Sequence, residues 1–347
     1  MSEYFMDTIN FEISSACNEK CLHCYRLHKN KVADFLTCDD VAAVLEQIQP
    51  ISTKDQLVLL TGGEFFLNKE WRQIVQTVIA HKRRFAIYTN GTLMTDDDAD
   101  FIQSVAEKGL REVQFSLYGM DEAVHDKITG LKGSCKKTKE AILKLKERKV
   151  PVFVSCCAMQ ENKNDFYNVM RWCDKNDIGS AAHLMIFGPS DYSDSNNAQR
   201  LSKEDLEAFF KISMENNGEL SYVWGEAKPK DSVSDEFYYH ESRQLCVSAD
   251  GSIYPEVGWY EKLGNIHTDD ITDIFINSPF MKRLREYKVS EMQCARCTAF
   301  EYCTRYPLPH VNANNGQAGK YDKRSCDYMH LIKEFAERRD KIFGKEK

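Results

Sequence analysis

The chain reads as a parallel α/β protein: an incomplete barrel of six β/α units, followed by a loop-rich region held together by cysteines. Three observations predict this. Short β-rich runs alternate with amphipathic helical stretches from residue 9 to about residue 190. The fourth of those strands alternates in character, with Val113, Phe115 and Leu117 pointing one way and Gln114, Ser116 and Tyr118 the other. A strand covered by helices on both faces would be apolar throughout, so one polar face implies a lined, solvated interior. Finally, five of the thirteen cysteines fall between residues 240 and 330, as expected where metal takes the place of a core.

Each element has its own signal. Residues 9–13 read as the first strand, and a cysteine loop follows. Thr37-Cys38-Asp39-Asp40 opens a helix running to about Gln49, with Thr37 as its N-cap. Residues 57–60 are a buried strand ending on Thr61-Gly62-Gly63-Glu64. A helix over residues 69–81 leads to the strand 85–89, which ends at Asn90-Gly91. A helix starting at Thr95 precedes the strand 113–118. Helices near 121–128 and 134–148 lead to the strand 150–156, and a helix around 165–175 with the strand 181–187 closes the series. Ligands of such sheets sit at the carboxyl ends of the strands. Residues 190–201 form a polar linker, a helix spans about 203–216, and residues 328–342 make a final amphipathic stretch. The expected domains are therefore a core over 1–200, a bridging helix and linker over 201–239, and a second domain with its C-terminal helix over 240–347.

Composition narrows the class. A net charge of −7 over 347 residues lacks the basic field of a general nucleic-acid binder. No apolar run reaches the roughly 18–20 residues of a spanning helix, so no membrane role is expected. Residues 1–8 lack a basic patch followed by an apolar segment, which points to a cytoplasmic enzyme.

Cysteine spacing carries the chemistry. In a reducing compartment, closely spaced cysteines read as soft-metal ligands before they read as disulfides. Cys17, Cys21 and Cys24 place three thiolates in eight residues with no fourth nearby. Structural zinc wants four closed ligands, which His23 or His28 would have to complete. Three thiolates on a four-iron cluster instead leave one iron open for a ligand. Cys294, Cys297, Cys303 and Cys326 form a second set, able to hold an iron–sulfur cluster or structural zinc. Cys38, Cys135, Cys156, Cys157 and Cys173 are scattered and read as small buried hydrophobes.

The first loop, Cys17-Asn18-Glu19-Lys20-Cys21-Leu22-His23-Cys24-Tyr25, resembles the CxxxCxxC loop of the radical S-adenosylmethionine (SAM) superfamily. Thr61-Gly62-Gly63-Glu64 resembles that family's GGE motif, and Asn90-Gly91 and Phe115-Ser116-Leu117-Tyr118-Gly119 follow in the family's order. The likeness covers residues 9–190. Phe65 stands where the family often has proline, which alters a turn. The resemblance implies a partial (β/α)6 barrel in which SAM chelates the open iron of a [4Fe-4S] cluster. Gly62 and Gly63 would let backbone approach the cofactor, Glu64 would accept from its ammonium, and Asn90 would also line the cofactor site. Ser116 would bond its ribose or carboxylate, and Tyr25 would lie near its adenine. Lys127 and Lys132 are candidates for the cation on its carboxylate.

The C-terminal cysteines, with Cys246 and Gly251 upstream, resemble the SPASM extension of radical SAM enzymes. Two positions depart from it: Glu256 and Pro307 stand where that pattern has cysteine. Both would serve the first auxiliary cluster, so the resemblance implies one auxiliary [4Fe-4S] cluster, on Cys294, Cys297, Cys303 and Cys326. Cys246 is left as a buried thiol or as a hydrogen donor that quenches a substrate radical; Glu256 as a ligand, a base or a surface residue.

The resemblance implies reductive cleavage of SAM and hydrogen abstraction from a ribosomally made peptide, installing a thioether or C–C crosslink or inverting a Cα. Partners would be that peptide and a flavodoxin- or ferredoxin-type electron donor; since only sixteen residues precede Cys17, the peptide would dock on this body or on a leader-binding partner protein. Alternatives are a small-molecule substrate such as a cofactor or haem precursor, and a non-catalytic iron–sulfur or zinc protein.

Overall fold

The computed structural model describes residues 4–26, 33–193, 195–215, 234–303 and 305–343. His28 lies outside them. The first half alternates as its sequence predicts: β1 (Met6–Glu12), α1 (Cys38–Ile48), β2 (Ser52–Thr61), α2 (Trp71–Ala80), β3 (Arg84–Thr89), α3 (Asp96–Val105) and β4 (Leu110–Ser116). Then come α4 (Glu122–Thr129), α5 (Ser134–Glu147), β5 (Val152–Cys157), α6 (Phe166–Lys175) and β6 (Gly179–His183). All six strands pair in parallel, in the spatial order β6-β5-β4-β3-β2-β1.

The sheet does not stop at β1. Beyond α7 (Lys203–Glu215), β7 (Gln244–Val247) adds to β1 in parallel, setting Cys246 beside Asn10. β8 (Ser252–Tyr254) and β9 (Gly264–Asn265) extend the sheet antiparallel. The nine strands form an open sheet with β6 and β9 at its edges, a partial barrel rather than a closed one. The helices α8 (Ile271–Asn277), α9 (Pro279–Glu286), α10 (Leu308–Ala313) and α11 (Lys323–Phe343) complete the C-terminal region.

Local chemistry explains the elements. Thr37 caps α1 in a capping box with Asp40, and Val41, Val44, Leu45 and Ile48 bury one helical stripe. Thr95 and Asp98 repeat the device on α3. On β1, Ile9 and Phe11 are fully buried in the apolar core; Asn10 and Glu12 alternate with them and are buried polar groups, bonded across to β7. On β4, Val113 and Phe115 are buried while Gln114 and Ser116 are partly open, matching the predicted alternation. Tyr118 departs from it: β4 ends at Ser116, and the Tyr118 ring turns in to pack edge-on against His23. β2 begins five residues earlier than its apolar run, because pairing with Met6 continues through polar Ser52. β6 ends at His183 rather than 187, since the chain then leaves the sheet for Gly188-Pro189.

Asn68 ties the barrel's first turn together. Its amide donates to the carbonyls of Ile13 (2.7 Å) and Leu36 (2.8 Å) and accepts from the Glu70 N–H (2.8 Å), all in a site 2% exposed. Losing three buried hydrogen bonds at ~1 kcal/mol each, Asn68→Ala is expected to destabilise the fold by about 2–3 kcal/mol, read as a lower urea midpoint. Asn68→Asp should cost at least as much, since it sets an acceptor against two carbonyls.

Candidate cluster and cofactor site

The cysteine loop leaves β1 at the carboxyl end of the sheet and is laced to the ends of several strands. The Gly63 N–H donates to Ser14 O (2.7 Å) and the Glu64 N–H to Ala16 O (2.8 Å). Asn90 Nδ2 donates to Asn18 Oδ1 (2.9 Å), and Asn18 Nδ2 to Thr92 (2.8 Å). On the far side, the N–H groups of Lys20 and Leu22 donate to the last carbonyls of α4, on Thr129 (2.8 Å) and Ile128 (2.9 Å). Asn196 reaches the His23 carbonyl and Ser190 that of Tyr25.

The two glycines are required by space. A Cβ on Gly62, whose φ is +142°, would lie 2.5 Å from Ser14 O; one on Gly63 would lie 2.1 Å from Ala16 O. Both obstacles are backbone of the cysteine loop, which cannot yield without moving the thiols. Glu64, 1% exposed, closes this junction: its carboxylate accepts from the Thr89 hydroxyl (2.5 Å), the Asn90 N–H (2.8 Å) and the Phe66 N–H (3.1 Å). With three of roughly four lone-pair positions taken, it has room for one further donor. Ser116 bonds the Tyr118 hydroxyl, and Tyr25 packs against Phe187 at 5.3 Å between ring centres. Lys127 lies instead on the surface in an ion pair with Glu161 (2.8 Å), and Lys132 is exposed.

The donor chemistry fits iron–sulfur ligation. Cys17, Cys21 and Cys24 stand within electrostatic reach of one another. Burial pushes the Cys17 thiol up to about 12, so a ligating metal would have to draw the proton off. The Glu19 N–H already donates to Cys17 Sγ (3.4 Å) and the Arg305 N–H to Cys303 Sγ (3.3 Å), the kind of bond that tunes cluster sulfurs. Cys294, Cys297, Cys303 and Cys326 also sense one another, so the fold gathers all four. Among the described residues no three ligating side chains close on a single ion. A four-iron cubane gives each thiolate its own iron and so spaces its ligands more widely.

Some placements were not legible in the sequence. His23 is neutral, its titration lowered by burial to about 4, and its Nδ1 has no hydrogen-bond partner among the described residues. His330 Nε2 lies 3.7 Å from Cys297 Sγ, and its spacing of four from Cys326 on one helix was the available signal. Glu12 is ion-paired with Arg26 and accepts from Ser248 (3.0 Å) beside Cys246. Of the scattered cysteines, Cys135, Cys156 and Cys173 are buried, Cys38 is partly exposed, and Cys157 sits near Cys24.

Residues 11–173 match the profile of the Radical SAM superfamily, and residues 239–298 match SPASM, an iron-sulfur cluster-binding domain. The chain carries a radical SAM domain followed by a SPASM domain. This radical SAM protein is 24% identical over 304 residues to the sporulation killing factor maturation protein SkfB of Bacillus subtilis, covering 85% of this chain and 70% of that one. It is 21% identical over 324 residues to the AdoMet-dependent heme synthase of Methanosarcina barkeri, covering 85% and 89%. Its fold is similar to that of Streptococcus suis SuiB bound to precursor peptide SuiA, with a TM-score of 0.68 and 15% identity over 94% of this chain and 76% of that one. The chain is a radical SAM enzyme whose cofactors are SAM, its cluster and an auxiliary iron–sulfur cluster. No helix among the described residues is long and apolar enough to cross a membrane.

Two expectations follow. Gly63→Ala should displace the cysteine loop, so that reconstituted protein loses its SAM-dependent spectral change while the rest of the fold persists by circular dichroism. Asp126 accepts from the Gly133 N–H, the Ser134 hydroxyl and the Cys135 N–H (3.0 Å), fixing the α4–α5 turn against which the loop is tied. Those bonds hold its carboxyl below the usual value near about 4. Its stabilisation is therefore present above that value and lost as pH falls through the lower folded-state one. The stability gap between wild type and Asp126→Asn, read from urea midpoints, should narrow from pH 7 to pH 4.

Proposed function

We propose that this chain is a cytoplasmic radical SAM enzyme that modifies a ribosomally made peptide. In this reading Cys17, Cys21 and Cys24 hold the SAM cluster, and Cys294, Cys297, Cys303 and Cys326 hold one auxiliary [4Fe-4S] cluster. The observation that carries it is the glycine ledge pressed on the loop of three thiols, which holds that loop at a fixed height at the carboxyl end of the sheet, where ligands of such folds bind. Bound there, the cluster and SAM supply one-electron cleavage of the sulfonium and a 5′-deoxyadenosyl radical that takes hydrogen from substrate.

The chain's own residues position and enclose. Gly62 and Gly63 let the cysteine loop close on the turn, Glu64 holds Asn90 and offers its remaining lone pair to an ammonium, and Ser116 offers a hydroxyl from the polar strand face. Tyr25 gives an aromatic wall, and Tyr118, Ile128 and Met159 keep water from the side of Cys21. Residues 1–200, 201–239 and 240–347 serve as core, bridge and auxiliary domain.

Similarity to SkfB, a maturation protein, supports a peptide substrate. Electrons would come from a flavodoxin- or ferredoxin-type donor, and a partner protein would present the peptide's leader. The product is a crosslink or an inverted Cα. For inversion, Cys246 would return one hydrogen atom to the carbon radical, leaving a thiyl that needs one electron and one proton from the donor and solvent. Coverage of 89% of the AdoMet-dependent heme synthase favours a second reading, a haem or cofactor precursor as substrate.

The test is anaerobically reconstituted protein containing about eight irons per chain, given dithionite and SAM. Expected products are methionine and 5′-deoxyadenosine, lost on substitution of Cys17, Cys21 or Cys24 by alanine; their absence from wild type overturns the proposal. With a peptide encoded beside the gene, inversion in D2O puts deuterium on one Cα and fails in Cys246→Ala. A crosslinked product is instead two hydrogens lighter. Turnover of a porphyrin with none of the peptide decides for the second reading.

A further inference from the structure

Around Cys246 the fold gathers buried polar groups that the chemistry above does not use. Cys246 is 1% exposed and stands within electrostatic reach of Glu12, Arg26 and Glu256. Glu256 Oε2 and the Tyr260 hydroxyl are shut off from solvent and make no hydrogen bond among the described residues. The other Glu256 contact is a hydrogen bond from Gln244, two residues before Cys246 on β7. Glu241, 5% exposed, is the acid nearest in effect to Glu256, and Arg305 is the cation beside it. Tyr306 senses Glu256, Glu241 and Tyr25, which joins this seam to the end of the cysteine loop. Glu256 and the segment Arg305–Pro307 are the two places where the chain departs from the SPASM cysteine pattern. The fold brings them together at one spot.

Charge decides what that spot lacks. Glu12 and Arg26 form an ion pair and cancel. Among the described residues Arg305 is the one cation that these two acids sense, so with both ionised the three groups carry one excess negative charge. A buried carboxylate without a partner is costly, and burial accordingly pushes Glu241 up to about 7 and Glu256 well above the usual range. One incoming ammonium or guanidinium would balance that charge, hold Glu256 ionised and give its Oε2 a donor, with the Tyr260 oxygen, on the other side of Cys246, open to a second donor. A neutral or acidic group would leave the acids unpaired.

We propose that this seam, between β7, the turn after β8 and the segment at Arg305–Tyr306, binds the cationic side chain of a lysine or arginine in the peptide substrate, with the neighbouring backbone held toward the Cys246 thiol. The proposal rests on the peptide reading given above. Glu256, Glu241 and Tyr260 are positioning residues in it.

The test uses reconstituted holoenzyme and three fluorescently labelled pentapeptides, acetyl-Ala-Gly-Xaa-Gly-Ala-amide, with Xaa lysine, glutamine or glutamate. Anisotropy titrations are expected to show the lysine peptide binding at least about tenfold tighter than the other two, a difference of ~1.4 kcal/mol. Glu256→Gln and, independently, Glu241→Gln should each erase the preference, while Glu256→Asp keeps part of it and Cys246→Ser keeps all of it. Equal binding of the three, tighter binding of the glutamate peptide, or no binding overturns the inference. A preference that persists in whichever of the two glutamine variants folds does so as well. The same preparation is assayed for 5′-deoxyadenosine: if SAM is cleaved while the peptides are not distinguished, this inference fails and the proposed function stands.

Discussion

The contact of Gly62 and Gly63 with the backbone of Ser14 and Ala16 is the constraint on which the site depends. Two N–H donors of the glycine turn, on Gly63 and Glu64, meet two carbonyls of the cysteine loop at 2.7 and 2.8 Å. Main-chain atoms lie where side chains would stand, so the loop's height above the sheet is fixed by a dimension that rotamer changes cannot alter. Glu64 extends the same clamp to β3 through Thr89 and Asn90, and Asn90 carries it back to Asn18 in the loop. The thiols of Cys17, Cys21 and Cys24 are thereby held from two sides, with α4 as the third wall. A site that must keep three ligands in register before any metal arrives gains from such preorganisation.

A second theme is continuity. The cysteine-rich region is attached through β7, which pairs with β1, the strand that feeds the cysteine loop. Asn10 bonds Gln244 and the carbonyl of Leu245, and Glu12 accepts from Ser248, so the barrel's inner polar positions are stitched to the added strand. The strand that feeds the cysteine loop and the strand that carries Cys246 are thus neighbours in one sheet. Cys246 and the Glu12–Arg26 pair stand at the seam between them.

Burial sets the electrostatics throughout. Removal from water raises the buried thiols and lowers His23 and His125, each to about 4, so these imidazoles are neutral near pH 7. The same burial raises Glu241 and Glu256 near Cys246, so that an incoming cation is what would hold them ionised.

Much of this protein was written in its order of residues. The alternation of apolar and helical periods specifies the six β/α units, Thr37 and Thr95 announce their helices, and the spacing of seven cysteines announces the two groups that the fold gathers. These are local properties, because periodicity, capping and ligand spacing act within a few residues of one another. Tertiary structure alone decided the rest. It turned Tyr118 inward, spent most of the Glu64 carboxylate on loop hydrogen bonds, sent Lys127 to a surface ion pair, and brought Glu256 beside Glu241 and Tyr306. Each of these outcomes depends on partners distant in the chain, and solvent exclusion and charge pairing between distant segments exist only once the sheet has assembled and brought them together.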